Sequence, residues 1–188
     1  MDTDLYEPPV AKLVDENNND EIQLYELKAF IGSNDKFYLR RWRQIKSQEY
    51  FSFNAGAFFL TGAWMLYRKM YKCAIIFTLV AIAEMLIAEY VFINHLNYSK
   101  IPLGYDILST VLYAVIIGKT GNYLYYIHTI STIKKVKEIS FGKTDYIEEL
   151  RDKGGRSLVS VIVGTVIIFL TILAVLTAYD YFTGAIQF

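Results

Sequence analysis

Residues 158–179 read LVSVIVGTVIIFLTILAVLTAY, 22 positions without a single charge. A helix of that length rises about 33 Å, enough to cross a hydrocarbon core of about 30 Å with a slight tilt. Working back from it, two more stretches share its character, Cys73–Ile93 and roughly Leu103–Tyr125. Threading all three through a membrane leaves every Lys and Arg except Lys100 on one side. Cytoplasmic flanks of inserted helices favour these residues, so the asymmetry sets the orientation. The fold expected is an all-α membrane protein with three transmembrane helices, its N-terminus cytoplasmic and residues 180–188 outside.

A fourth apolar stretch, Phe53–Tyr67, does not fit this count. Its roughly 15 residues reach only about 22 Å as a straight helix. A full crossing would strand Arg68, Lys69 and Lys72 on the outer side. The segment is therefore predicted to be a short re-entrant or interfacial helix that enters and leaves on the cytoplasmic side. Ala55, Gly56, Ala57, Thr61, Gly62 and Ala63 would let it pack closely against its neighbours.

Upstream, residues 1–20 are acidic and poor in apolar groups, and read as a disordered tail. They contain no apolar h-region, so the first span serves as its own insertion signal. Residues 21–50 read as cytoplasmic or interfacial amphipathic helices. The first runs to Ile31 and stops at Gly32, and the second starts at an Asn34 N-cap. On the second, Tyr38, Trp42 and Ile45 form a stripe surrounded by Arg40, Arg41, Arg43 and Lys46. Such a helix either lies among lipid headgroups or packs its stripe on a neighbouring helix. Residues 51–188 form the membrane domain, with a cytoplasmic helical hairpin at about 127–156. Its first arm carries Ile127, Ile130, Ile133 and Val136 at every third position, beyond the aromatic belt of Tyr123, Tyr125 and Tyr126. Thr144–Leu150 forms the second arm, and Gly154-Gly155 stops it.

The totals exclude more than they assign. Formal charge balances to +0, and one cysteine, Cys73, permits neither an intrachain disulfide nor a thiolate metal cage. His95 and His128 fall on opposite sides of the membrane, so no metal site and no other cofactor is expected. No Gly-x-Ser-x-Gly, His-Glu-x-x-His or Gly-x-Gly-Asp occurs, so the chain is not expected to be an enzyme. The basic run Lys36–Lys46 interleaves Phe37, Leu39 and Trp42, which suits an anionic membrane surface better than nucleic acid.

Three intramembrane polar residues stand out. Glu84 lies near the middle of its span, where an ionised carboxylate costs at least about 2.5 kcal/mol. Such a group either serves ion or proton movement or is a hydrogen-bonded packing residue. Asn122 shares a face with Gly118 and Tyr126 and can hydrogen-bond across helices. A further set, Arg40, Arg41, Trp42, Trp64, Tyr67, Arg68, Lys69 and Tyr71, is expected to dock lipid headgroups or a partner at the interface. Gly154-Gly155-Arg156-Ser157 offers a phosphate cradle or, more simply, a flexible joint.

The run Phe30-Ile31-Gly32-Ser33-Asn34, then Tyr38-Leu39-Arg40-Arg41-Trp42, Phe53-Asn54-x-x-Ala57-Phe58-Phe59 and Trp64-x-Leu66-Tyr67-Arg68-Lys69-Met70-Tyr71 resemble a family of small bacterial membrane proteins. That family is catalogued as domain of unknown function 2628. Gly121-Asn122 with Tyr125, Tyr126 and His128 resembles its second block. The resemblance implies a bacterial inner-membrane location and offers no activity. Two functions are consistent with these readings. One is a structural or accessory subunit that binds partner membrane proteins through small-residue faces and a basic cytoplasmic hairpin, amid anionic lipids. The alternative is an oligomeric channel or carrier for an ion or small solute, built on Glu84 and the Asn122 face.

Overall fold

The computed structural model describes residues 22–46, 52–140 and 142–183, and every regular element among them is helical. The expected tail at 1–20 and the end at 184–188 lie outside the described residues, as does the side chain of Ile45. Helix α1 spans Leu24–Ile31, α2 Asp35–Lys46, α3 Ala55–Tyr67 and α4 Tyr71–Glu89. A π-helical turn, Tyr90–His95, extends α4, and α5 Leu103–Ser140, α6 Tyr146–Lys153 and α7 Leu158–Thr183 complete the chain. Gly32 ends α1 with a φ of 73°, a left-handed value that a Cβ disfavours.

Three helices are long and apolar enough to cross a membrane: α4 with its extension, α5, and α7 over Leu158–Tyr179. This architecture is compatible with a multi-pass membrane protein. Ile75, Ile76, Leu108, Ile162, Ile167 and Phe169 are all exposed along them, as lipid-facing residues would be. The long helices pack on α3 more than on one another. Where α4 meets α5 it does so through long side chains, Phe77 on Tyr113 and Phe92 on Tyr105, with ring centroids 5.6 and 5.1 Å apart.

Helix α3 holds the bundle together because it is bent. Asn54 caps its start by accepting from the Ala57 N–H at 3.0 Å. At Thr61 the backbone leaves the helical region, with φ 41° and ψ −108°. The second half folds back, so that a Cβ on Gly56 would sit 3.3 Å from Trp64 Cδ1. Eight residues of straight helix would separate those positions by about 12 Å. The Asn54 N–H donates to the Gly118 carbonyl at 2.8 Å, and Arg68, just past the other end, lies over the Tyr125 ring. Gly62, at the bend, faces Phe77, which itself packs on Tyr113. Both ends of α3 therefore lie against residues 118–125 of α5, and its bend points toward the Leu103 end. Phe59 sits beside that bend and is 77% exposed.

Helix α5 runs unbroken through Gly118-Lys119-Thr120-Gly121-Asn122, where its apolar character lapses. Glycines there serve close approach: a Cβ on Gly121 would fall 2.8 Å from the Ala57 Cβ. The buried face is Ile117, Gly118, Gly121, Asn122, Tyr125, Thr129, Ile133, Val136 and Ser140. Those spacings of three and four follow the 3.6-residue turn. A strict every-third pattern drifts off it, which is why Ile127 of the expected stripe points outward while Ile133 and Val136 are enclosed.

Helices α1, α2 and α6 pack on the second half of α5, α2 at Asn122–Tyr126 and α1 from His128 to Lys137. The Tyr38 and Trp42 stripe of α2 packs on protein, with Tyr38 4.7 Å and Trp42 5.6 Å from the Tyr125 ring centroid. Of the two readings of that helix, the neighbour-packing one describes these side chains. Gly154 lies so close to α1 that a Cβ there would meet the Phe30 carbonyl oxygen at 2.0 Å.

Candidate functional site

Arg68 follows the last turn of α3 and is only 2% exposed. Its guanidinium carbon stands 4.6 Å from the Tyr38 ring centroid, 5.2 Å from Tyr125 and 5.7 Å from Tyr67. Three helices thus present π-faces to one cation, each such contact contributing about 0.5–2 kcal/mol. Among the described residues no carboxylate pairs with it, and its Nε and Nη1 have no hydrogen-bond partner. The tyrosine quadrupoles offset desolvation of the cation in place of a counter-ion. Next to it, Lys69 adopts a φ of 57° and donates its Nζ to the Asp152 carbonyl at 2.6 Å, tying the α3–α4 turn to α6.

A second centre sits beneath the cage. Asn122 donates from Nδ2 to the Ser52 carbonyl at 3.0 Å and to Ser52 Oγ at 2.9 Å. Its Oδ1 accepts from Asn54 Nδ2 at 2.8 Å, and its own carbonyl accepts from Trp42 Nε1 at 3.2 Å. Asn122 is therefore the polar joint of α2, α3 and α5. Tyr126, half-buried, edges onto Trp42 at 5.5 Å.

Glu84 belongs elsewhere. Its carboxylate accepts a hydrogen bond from the Tyr105 hydroxyl, near the start of α5. Tyr105 and Asn122 are 17 residues apart on one helix, a rise of about 25 Å. Glu84 and Asn122 do not share a site.

The interfacial set divides in two. Trp42, Trp64 and Arg68 are enclosed by their own chain. Arg40 is exposed, Arg41 lies 5.6 Å over the Phe37 ring, and the Tyr71 hydroxyl pairs with Ser160 Oγ at 2.7 Å. The Gly154–Ser157 joint is packed, not a cradle or a free hinge. Its Gly154, Gly155 and Ser157 N–H groups donate to Leu150, Phe30 and Tyr67 carbonyls at 3.0, 2.7 and 3.0 Å.

Two groupings escape a reading of the sequence. One is Glu26, fully buried in α1, which accepts from the Tyr146 hydroxyl and the Gln23 N–H and stands 3.7 Å from Lys137 Nζ. Burial first, then the Glu26 carboxylate, pushes the Tyr146 phenol far above its usual range. The signal was there: Ile22, Glu26 and Phe30 recur every fourth residue, so Glu26 lies on the apolar face. The other is a groove lined by Lys69, Tyr71, Lys72, His128, Lys135 and Lys153. Its residues come from three separate parts of the chain.

Neither a curated protein nor a solved structure matches the chain. The family model described as "Protein of unknown function (DUF2628)" matches residues 17–130. That span holds Asn54, Arg68, Asn122 and Tyr125, and ends inside α5, before α6 and α7. The chain belongs to this family, domain of unknown function 2628.

Proposed function

We propose that the protein is an accessory subunit of a bacterial inner membrane, binding partner membrane proteins through the apolar faces of α7 and the first half of α5. The observation that carries this reading is how little the three long helices share with one another. Their apolar faces stay open, while the packing is concentrated around α3 and the cage. In lipid such faces gain from close contact with other helices. The small-residue surface of α3 is not available for this purpose. Its Gly56 and Gly62 already receive Trp64 and Phe77, and its Ala57 already lies against Gly121 of α5.

In this reading the basic start of α4, the Lys-rich end of α5 and the Arg156 flank of α7 face the cytoplasm, and the loop with Lys100 lies outside. Helix α3 is re-entrant. The break at Thr61, both ends against residues 118–125, and the exposed Phe59 beside the bend support that placement. The channel alternative draws no comparable support. Asn122 is sealed in a saturated network, and Glu84 is about 25 Å away along α5.

The test is photo-crosslinking in native membranes from probes at Ile162, Ile167 and Phe169 on α7, followed by purification and determination of mass and stoichiometry. The expected product is one defined foreign membrane protein in fixed ratio. Crosslinks to lipid alone, or to a second copy alone, would overturn the accessory reading. A cation flux in reconstituted protein that Glu84→Gln abolishes would establish the channel instead.

A further inference from the structure

Between the α3–α4 turn, α5 and α6 runs a groove of ≈ 680 Å³. Lys69 and Lys72 line it from the turn and the start of α4, Lys135 from α5 and Lys153 from the end of α6. Glu149 is the one carboxylate in its wall, and among the described residues it forms no ion pair with any of the four lysines. Thr132 adds a hydroxyl, and those of Tyr71 and Ser131 line the groove while bonded to Ser160 Oγ and the His128 carbonyl. His128 also lines the groove, and among the described residues its buried Nε2 has no hydrogen-bond partner. From His128 to Ile139 the groove follows α5 for about 16 Å.

An excess of ammonium donors over carboxylates, gathered in a concave site with hydroxyls and an unpartnered ring nitrogen, is chemistry for a multiply bonded oxyanion. Lysines bind phosphate as point charges, each donating to a different oxygen. The volume exceeds what one phosphate needs and suits a phosphate carried on a small polar body. Tyr71 and Lys72 stand at the first turn of a membrane-spanning helix. The mouth of the groove is thus at headgroup depth, and in this the inference rests on the topology proposed above, not on the accessory-subunit reading. We propose that the groove binds a phosphate group, presented by an anionic phospholipid headgroup or by a soluble phosphomonoester.

The full chain purified in maltoside detergent tests this by native mass spectrometry with phosphatidylglycerol, and by ³¹P line broadening with glycerol phosphate. The paired change Lys72→Gln and Lys135→Gln removes two groove cations. A control pair, Lys134→Gln and Lys143→Gln, removes the same charge from exposed positions outside the groove. The groove pair is expected to weaken binding about 30-fold, equal to about 2 kcal/mol, with the control within about threefold. Retention of phosphatidylglycerol alone assigns the lipid source. Broadening of glycerol phosphate in lipid-free protein assigns the soluble one. Equal weakening by both pairs would mean diffuse attraction and overturn the site, as would failure of both probes to bind protein of native helicity. Equal retention of a carboxylate-headed amphiphile would overturn the phosphate assignment.

Discussion

Replacing Asn122 by Ala should loosen the seat of α3 without touching its apolar contacts. The substitution leaves Asn54 Nδ2, the Ser52 carbonyl and the Ser52 hydroxyl without their partner. Interhelical side-chain hydrogen bonds in membrane proteins average about 0.6 kcal/mol, which would make the loss about 2 kcal/mol. An orphaned group sealed from water costs about 1–3 kcal/mol instead. Ser52, Asn54 and Asn122 are all buried, so the second figure governs and the expected cost is about 3–5 kcal/mol. The assay is denaturation in mixed micelles, followed by tryptophan emission. Trp42 donates to the Asn122 carbonyl, and Trp64 packs on Gly121, so both indoles report on this joint. A double-mutant cycle with Asn54→Ala should show coupling of at least about 1 kcal/mol. Thr120→Ala is the control, because its hydroxyl bonds only its own helix, at the Ile116 carbonyl 2.7 Å away. It should stay within about 0.5 kcal/mol of the parent. An Asn122→Ala protein within about 1 kcal/mol of the parent, or an additive cycle, would refute the account of Asn122 as the polar joint.

Arg68→Lys should cost about 1–3 kcal/mol in the same assay, because a compact, strongly hydrated ammonium cannot stack flat on Tyr38 and Tyr125. Equal stability of the two would show that charge alone, not the planar group, fills the cage. Tyr146→Phe should cost about 1.5–3 kcal/mol, since the lost bond is to the Glu26 carboxylate. The Tyr146 phenol is raised in the folded protein, so its contribution is complete below the unfolded value of about 10 and fades as pH climbs above it. The parent should therefore lose stability more steeply than Tyr146→Phe above about pH 10, and parallel profiles would refute the link. In a Cys73→Ser background, single cysteines at Ser99, Lys143 and Phe59 should behave differently toward an impermeant maleimide. Ser99→Cys should label from outside and Lys143→Cys from inside, with Phe59→Cys refractory from both. Outside labelling at Phe59 would mean that the bend of α3 reaches the outer face and would overturn its re-entrant placement.

The three long helices were legible because nothing competes with a charge-free run of that length in hydrocarbon, and the α1 stop was legible because Gly32 takes a φ that few other residues accept. The length deficit of Phe53–Tyr67 exposed a conflict with a straight crossing, but the position of its break did not follow. Thr61 leaves helical geometry where Gly62 meets Phe77, a contact between helices that no local pattern encodes. On α5 the role of Asn122 beside Gly118 as a link between helices was legible from their shared face, whereas the every-third stripe misplaced Ile127, which looks like core and is not. Glu26, Lys137 and Tyr146 lie more than a hundred residues apart in part, so the fourfold spacing of Ile22, Glu26 and Phe30 could mark the acid as inward without naming its partners.

Charge counting carries the same division one step further. It treats Arg68, Lys69 and Lys72 as three equal cations at the end of a short apolar segment, and for orientation that suffices. Their chemistry is unequal. Arg68 is closed in by rings from α2, α3 and α5, so it joins those helices at one point. Lys69 commits one of its three ammonium protons to the α6 carbonyl of Asp152 and shares the groove with the rest. Lys72 has no ion pair among the described residues and opens on a groove with Lys135 and Lys153. A cation whose field is already answered by tyrosine faces supports the fold, and one whose field no carboxylate among the described residues answers is left to bind a ligand. The first kind sits inside the matched family region, while the second needs α6, beyond residue 130. The cage is therefore the feature to look for wherever the matched region occurs, and the groove only where a helix that places a lysine as α6 places Lys153 follows it.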